Sequence, residues 1–167
     1  MSGTTGTERT TGRAGSRAVR PVPEGYHTVT PYLIVNGAAK LIEFAKKAFD
    51  AKETLMMPGE AGKVMHAEFR IGNSMIMLAD QMAEHPAQPA ILYLYVEDVD
   101  ETFKRALQAG GKLHKEVVDQ FYGDRSGAVK DPFGNVWWIA THVEDVPPDE
   151  LKRRHDDFVH KMKQQKH

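Results

Sequence analysis

Tyr93-Leu94-Tyr95-Val96 repeats Tyr32-Leu33-Ile34-Val35 at an offset of 61 residues, and Gly134-Asn135 repeats Gly72-Asn73 at an offset of 62. Each member of the first pair is a short apolar and aromatic run, the pattern of a strand. Each member of the second pair is a turn dipeptide before another apolar run, Ser74–Leu78 or Val136–Ala140. Two matches in the same order at nearly equal spacing describe an internal duplication. Each copy reads as a strand, a helix and then three strands.

In the first copy, Thr28–Val35 is a predicted strand, and Pro31, which has no N–H, confines it to an edge or a bulge. Beyond Asn36-Gly37, the apolar residues Ala38, Leu41, Ile42, Ala45, Ala48 and Phe49 recur at threes and fours, which predicts a helix over Ala38–Phe49. Lys52–Met57, Lys63–Ile71 and Ser74–Ala79 complete the copy, the last two as a hairpin across Gly72-Asn73. In the second copy Ala90–Val96 is the strand. Asp98 or Asp100 caps a helix over Val99–Gln108 with Val99, Phe103, Ala106 and Leu107 buried, and Gly110-Gly111 ends it. Lys112–Val118, Ser126–Lys130 and Asn135–Thr141 follow, the last two joined by the turn Asp131-Pro132-Phe133-Gly134. The expected class is therefore α+β with paired βαβββ modules. Module one covers 28–82 and module two 90–146, within one domain of residues 25–147. Residues 148–167 are a helical extension with Leu151, Phe158, Val159 and Met162 on one side, suited to docking on the body or on a partner subunit.

Composition narrows the function. Among 167 residues there is no cysteine, which removes disulfides, thiolate metal sites and cysteine nucleophiles together. Residues 1–24 and 148–167 each carry a net charge of +2, leaving −5 for the body. A mildly acidic body does not offer the clustered basic patch of a nucleic-acid surface. No apolar run is long enough to span a membrane, and the first residues lack the apolar core of a secretory signal. Residues 1–24, rich in Gly, Thr, Ser and Arg, are expected to be a disordered tail, and the protein to be soluble and cytoplasmic.

The motif Gln120-Phe121-Tyr122-Gly123-Asp124-Arg125-Ser126-Gly127-Ala128-Val129-Lys130-Asp131-Pro132-Phe133-Gly134-Asn135-Val136-Trp137 has two companions in the first copy. These are Thr30-Pro31-Tyr32-Leu33-Ile34-Val35 and Gly72-Asn73-Ser74-Met75-Ile76-Met77-Leu78-Ala79-Asp80. Together they strongly resemble the vicinal oxygen chelate superfamily, which includes glyoxalase I, bleomycin-resistance proteins and extradiol dioxygenases, and within it the PhnB-like branch. The resemblance implies sheets curled around a cup. It also implies a homodimer, often with modules shared or swapped between subunits. It places the four ligands of metal-dependent members at Thr30, at Met77 (or Ile76 if the hairpin register differs by one), at Ile91 and at Trp138. None is a carboxylate or imidazole. A thioether is a soft ligand and an indole N–H only donates, so no metal and no cofactor are expected.

The same resemblance turns Thr30, Tyr32 and Ile34, then Ile91, Tyr93 and Tyr95, then Val136, Trp138 and Ala140 toward the cup, with Met75 and Met77 nearby. The candidate ligand-binding residues are Tyr32, His66, Met77, Tyr93, Tyr122, Arg125 and Trp138. Arg125 either clamps a ligand carboxylate or phosphate, or pairs with Asp119, Asp124 or Asp131 to hold its own loop. His27, His66, His114 and His142 all lie near strand ends, where they can converge. His66 shares a strand face with Glu68 and is the best candidate for a catalytic base. Three functions stay open. One is a metal-independent protein that binds or sequesters a small aromatic or flat organic molecule. The second is a lyase, isomerase or oxygenase-like enzyme on a small organic substrate. The third is a dimeric structural or interaction protein with a closed cup.

Overall fold

The duplicated pattern folds as two four-stranded sheets in a computed structural model that describes residues 19–164. Strands β1 (Tyr32–Val35), β2 (Lys52–Pro58), β3 (Val64–Ile71) and β4 (Ser74–Asp80) form the first sheet in the order β1-β4-β3-β2. Strands β5 (Ile91–Tyr95), β6 (Lys112–Asp119), β7 (Asp124–Lys130) and β8 (Val136–His142) form the second in the order β5-β8-β7-β6. In each sheet the first and last strands are parallel and the other pairs antiparallel. Helix α1 (Ala38–Phe49) and helix α2 (Val99–Gln108) each follow the first strand of their module, and α3 (Pro148–Gln164) ends the described chain. This is the α+β class with paired βαβββ modules. Most of the expected tail lies outside the described residues. No described helix is long and apolar enough to cross a membrane.

The first strand is shorter than expected, beginning at Tyr32 rather than Thr28. Pro31 has no N–H to give the ladder, but its carbonyl accepts from Met77 N at 2.9 Å, so it forms the boundary. Helix α1 has no side-chain cap of its own, because Gly37 stands at its start with φ 113°. Asp80, from the end of β4, supplies the cap. Its Oδ1 accepts Gly37 N at 2.7 Å and Ala38 N at 3.0 Å, while Oδ2 accepts Val64 N at 2.8 Å. Burial pushes this carboxyl up, but the three backbone N–H groups outweigh it and hold it below the ordinary value. Helix α2 caps itself through Asp98, which accepts Glu101 N. Leu107 is 36% exposed, so it lies at the edge of the core rather than inside it.

Both helices lie in one core. Leu41, Ile42, Ala45 and Phe49 of α1 and Val99, Phe103 and Ala106 of α2 pack against Leu33, Phe69 and Leu78 of the first sheet and Val129, Trp137 and Ile139 of the second. Phe49 meets Trp137 at 4.8 Å between ring centroids. The two modules thus share the apolar faces that carry their helices. The other face of each sheet turns away from this core: Tyr32, Tyr93 and Tyr95 are 48%, 45% and 63% exposed. In one chain these faces stay open and apart rather than meeting in the single cup expected, since the helix-bearing faces bury their apolar surface against each other.

Helix α3 lies on the loop before β7. Phe158 packs on Phe121 at 5.1 Å, and Arg154 grips both carboxylate oxygens of Glu144 at 2.8 Å. Phe158 and Met162 stay 45% exposed, so the expected docking on the body is shallow.

Candidate functional site

Strand register decides which side chains share each open face. In the first sheet Tyr32 pairs with Met77 and Met77 with Glu68, while Leu33, Leu78 and Ala67 point into the core. The hairpin therefore places Met77 on the open face, and Ile76 is buried on the other side. In the second sheet Tyr93 pairs with Trp138 and Trp138 with Ala128. Asp124 and His142 are opposite one another at the end of the same face.

On the module-one face, His66 bridges a phenol and a carboxylate. Tyr32 Oη lies 3.0 Å from His66 Nδ1, and His66 Nε2 lies 3.1 Å from Glu68 Oε1. An ionised carboxylate only accepts, so Nε2 donates to Glu68; in that tautomer of the neutral ring, Nδ1 is left to accept from the Tyr32 hydroxyl. Tyr26 donates to the second Glu68 oxygen. That bond, with burial and the Glu68 charge, pushes the Tyr26 phenol up to about 12. In return Tyr26, together with His66, holds the Glu68 carboxyl below its ordinary value against the opposing cost of burial.

On the module-two face, Asp124 is the centre. It is 3% exposed and accepts Tyr93 Oη at 3.1 Å and Tyr95 Oη at 2.9 Å on Oδ2. His142 Nδ1 meets Oδ1 at 2.8 Å, and its Nε2 meets Asp145 Oδ1 at 2.9 Å. Burial pushes the Asp124 carboxyl up, but the bonds from His142, Tyr95 and Tyr93 outweigh it and the net shift is downward. Hydrogen bonds to Asp124 and then Asp145 raise the His142 imidazole, favouring the cation with both nitrogens donating. Burial first, then the interaction with Tyr122, raises the Tyr93 phenol. Tyr93, Tyr95, Tyr122, Asp124 and His142 line a depression of about 440 Å³. Beside it, Tyr93 and Trp138 present nearly parallel rings, 9° apart in plane with centroids at 6.4 Å.

Arg125 lies off this face. It pairs in register with Thr141, one residue out of phase with Asp124, and so projects on the helix side of β7. There it grips Asp100 of α2 with Nε and Nη2 at 2.8 Å each and reaches Asp119 at 3.0 Å. These contacts are those of the loop-holding alternative, through Asp119, with Asp100 as the unforeseen second partner. The histidines, which could have converged, do not. His66 and His142 lie on faces of different sheets with separate partners, and His114 stands exposed on β6. Tyr32, His66 and Met77 do come together, as do Tyr93, Tyr122 and Trp138. The residues missed are Tyr26, Tyr95 as a hydroxyl donor, Asp124 and His142. Alternation along β7 could have found Asp124, since Asp124, Ser126 and Ala128 share one face while Arg125 and Val129 take the other.

The donor set does not fit a hard divalent cation at the family's metal position. Thr30, Met77, Ile91 and Trp138 offer one hydroxyl and one thioether between them, and the Thr30 hydroxyl donates to the His27 carbonyl at 3.2 Å. The Asp131-Pro132-Phe133-Gly134-Asn135 motif is structural: the buried Asp131 carboxylate accepts the backbone N–H of Phe133 and Asn135, the Asn135 amide and the Trp137 indole.

Residues 26–139 match the model of the Glyoxalase/Bleomycin resistance protein/Dioxygenase superfamily. An uncharacterized protein of Mycobacterium bovis is 38% identical over 135 residues, covering 74% of this chain and 89% of the relative. Among solved structures, TioX from Micromonospora sp. ML1 is similar with a TM-score of 0.60 at 21% identity, over 69% of this chain and 98% of TioX. Protein PA1353 from Pseudomonas aeruginosa gives 0.58 at 22% identity, over 70% and 98%. The PhnB protein from Bacillus cereus gives 0.57 at 20%, over 69% and 99%. At these identities the solved structures speak to the fold alone.

Proposed function

The chain belongs to the glyoxalase/bleomycin resistance protein/dioxygenase superfamily, and we propose that it is a metal-independent, cytoplasmic protein that binds a small aromatic or otherwise flat organic molecule. The observation that carries this reading is the open aromatic wall of module two. Tyr93 and Trp138 offer parallel π faces on a sheet surface, and a stacked ring there is worth roughly 0.5–1.5 kcal/mol beyond its buried area. The adjacent tyrosine hydroxyls and the Asp124–His142 pair give such a ligand one polar end to orient against, the usual composition of a small-molecule site. Met77 and Tyr32 supply a second wall of adaptable and aromatic contact.

The two walls stand on separate open faces in one chain. The reading therefore includes a homodimer in which module one of one protomer closes over module two of its partner. Tyr32, Met57, Ile91, Tyr93 and Tyr95 are all more than 36% exposed, an apolar surface that a second copy would cover. The test is a titration of aromatic carboxylates and ketones followed by tryptophan fluorescence. Saturable quenching that weakens at least tenfold in Trp138→Leu supports the reading. A panel without any binding, or equal affinity in the variant, opposes it.

A further inference from the structure

We propose that Tyr32, His66 and Glu68 form a proton relay that interconverts the keto and enol forms of an aryl-substituted carbonyl compound held in the cup. The inference rests on reading the cup as a small-molecule site and adds an activity to it. Three features of the structure support it. The two ring nitrogens of His66 join the other groups in one line, Nδ1 to the Tyr32 hydroxyl at 3.0 Å and Nε2 to Glu68 at 3.1 Å. Exposure falls along the same line: Tyr32 is 48% exposed, and the His66 and Glu68 side chains are 22% and 13% exposed. The far end is fixed, since Tyr26 donates to the remaining Glu68 oxygen and leaves the carboxylate one orientation. An imidazole backed by a carboxylate and joined to a hydroxyl is an arrangement that moves protons.

The step balances within the substrate and these residues. The Tyr32 oxygen takes the proton from the carbon next to the carbonyl as its own proton passes to His66 Nδ1. The C–H electron pair becomes the C=C bond, and the carbonyl π pair moves to oxygen as an enolate. The imidazolium, stabilised by Glu68, then returns its proton through Tyr32 to the enolate oxygen. The product is an isomer, and no co-reactant is consumed. An aryl group on the reacting carbon suits the site twice: it makes the C–H more acidic, and it gives the ligand the flat ring that the facing wall accepts. Tyr32 touches the substrate and His66 exchanges protons with Tyr32, whereas Glu68 and Tyr26 are positioning residues.

The experiment incubates the full-length protein with phenylpyruvate or phenylacetone in D2O and follows deuterium entry at the benzylic carbon by proton NMR. Binding of each probe is measured in parallel by tryptophan fluorescence. The expected result is exchange faster than in buffer, reduced about 100-fold in Tyr32→Phe and in His66→Gln, a loss far larger than any accompanying shift of the fluorescence midpoint. Glu68→Gln should lower kcat with little change in KM, a split that a purely structural clamp would not produce. If the wild-type protein binds either probe without accelerating exchange, the relay is overturned and the cup reading stands. If other flat aromatics bind but neither carbonyl probe does, the substrate class is wrong and the proposal falls. If nothing flat binds, the cup reading fails and the relay fails with it.

Discussion

Replacing Asp131 with alanine should destabilise the protein by about 3–5 kcal/mol, and the reason can be worked from four hydrogen bonds. Oδ1 accepts Phe133 N and Asn135 N, each at 2.9 Å, and Oδ2 accepts Asn135 Nδ2 at 2.9 Å and Trp137 Nε1 at 2.8 Å. Asn135 and Trp137 are wholly buried. An orphaned buried donor costs about 1–3 kcal/mol, and at least the amide and the indole would be orphaned, since water does not reach them. Phe133 N, nearer the surface, can recover a water and adds little. The relief of no longer burying a carboxylate offsets part of the loss, which is why the expectation stops short of the simple total. Set against the roughly 5–15 kcal/mol of a typical domain, this is a large fraction. The assay is urea unfolding followed by tryptophan fluorescence and circular dichroism together. The midpoint should fall with the slope unchanged, and Asp131→Asn, which keeps one acceptor, should fall between alanine and wild type. A loss below about 1 kcal/mol for Asp131→Ala would show that the turn does not depend on this carboxylate.

Further expectations test other parts of the account. Trp137→Leu should cost about 3 kcal/mol, because Trp137 is wholly buried against Phe49. Trp138→Leu should cost under about 1 kcal/mol yet lose ligand, and equal destabilisation of the two would contradict the assignment of faces. His142 has a raised folded-state pKa owing to Asp124 and Asp145. Its stabilising contribution should be whole below the ordinary histidine range and disappear as pH rises through the raised value. The urea midpoint of wild type minus that of His142→Gln should therefore shrink with rising pH, and a difference that grows would refute the pairing; the other titratable groups around the ring are Tyr93, Tyr95 and Tyr122. Arg125→Ala should leave ligand affinity unchanged and lower the urea midpoint slightly, less so in high salt, and a large loss of affinity would restore Arg125 to the site.

The local elements were legible because period alone specifies them. Both helices fall where offsets of three and four place them, and the duplication around Tyr32 and Tyr93 fixes the order of the eight strands. What the sequence does not display is pairing across distance. Asp80 caps a helix whose first residue lies 42 positions earlier, and no local pattern announces it. Met77 and Ile76 are equivalent in sequence terms until the hairpin register separates them. Arg125 and Asp124 are neighbours, so a strand must send them to opposite faces; treating their segment as a loop concealed that. The Asp124–His142 contact needs the β7–β8 register, and the outward turn of both cup faces needs to be read from how α1 meets α2.

Complementation between two damaged walls distinguishes a site shared by two copies from one built within a single chain. Tyr32→Ala damages the module-one wall and Trp138→Ala the module-two wall, and each variant alone should bind the aromatic probes poorly. In a mixed dimer that pairs module one with the partner's module two, one cup carries both defects and the other carries neither. Co-expressing the two variants should therefore restore wild-type affinity at about a quarter of the wild-type binding capacity, as random pairing gives half mixed dimers with one intact cup each. Restored high-affinity sites at that fraction are the predicted result. A mixture with no more binding capacity than the separate variants would contradict a site built between two copies.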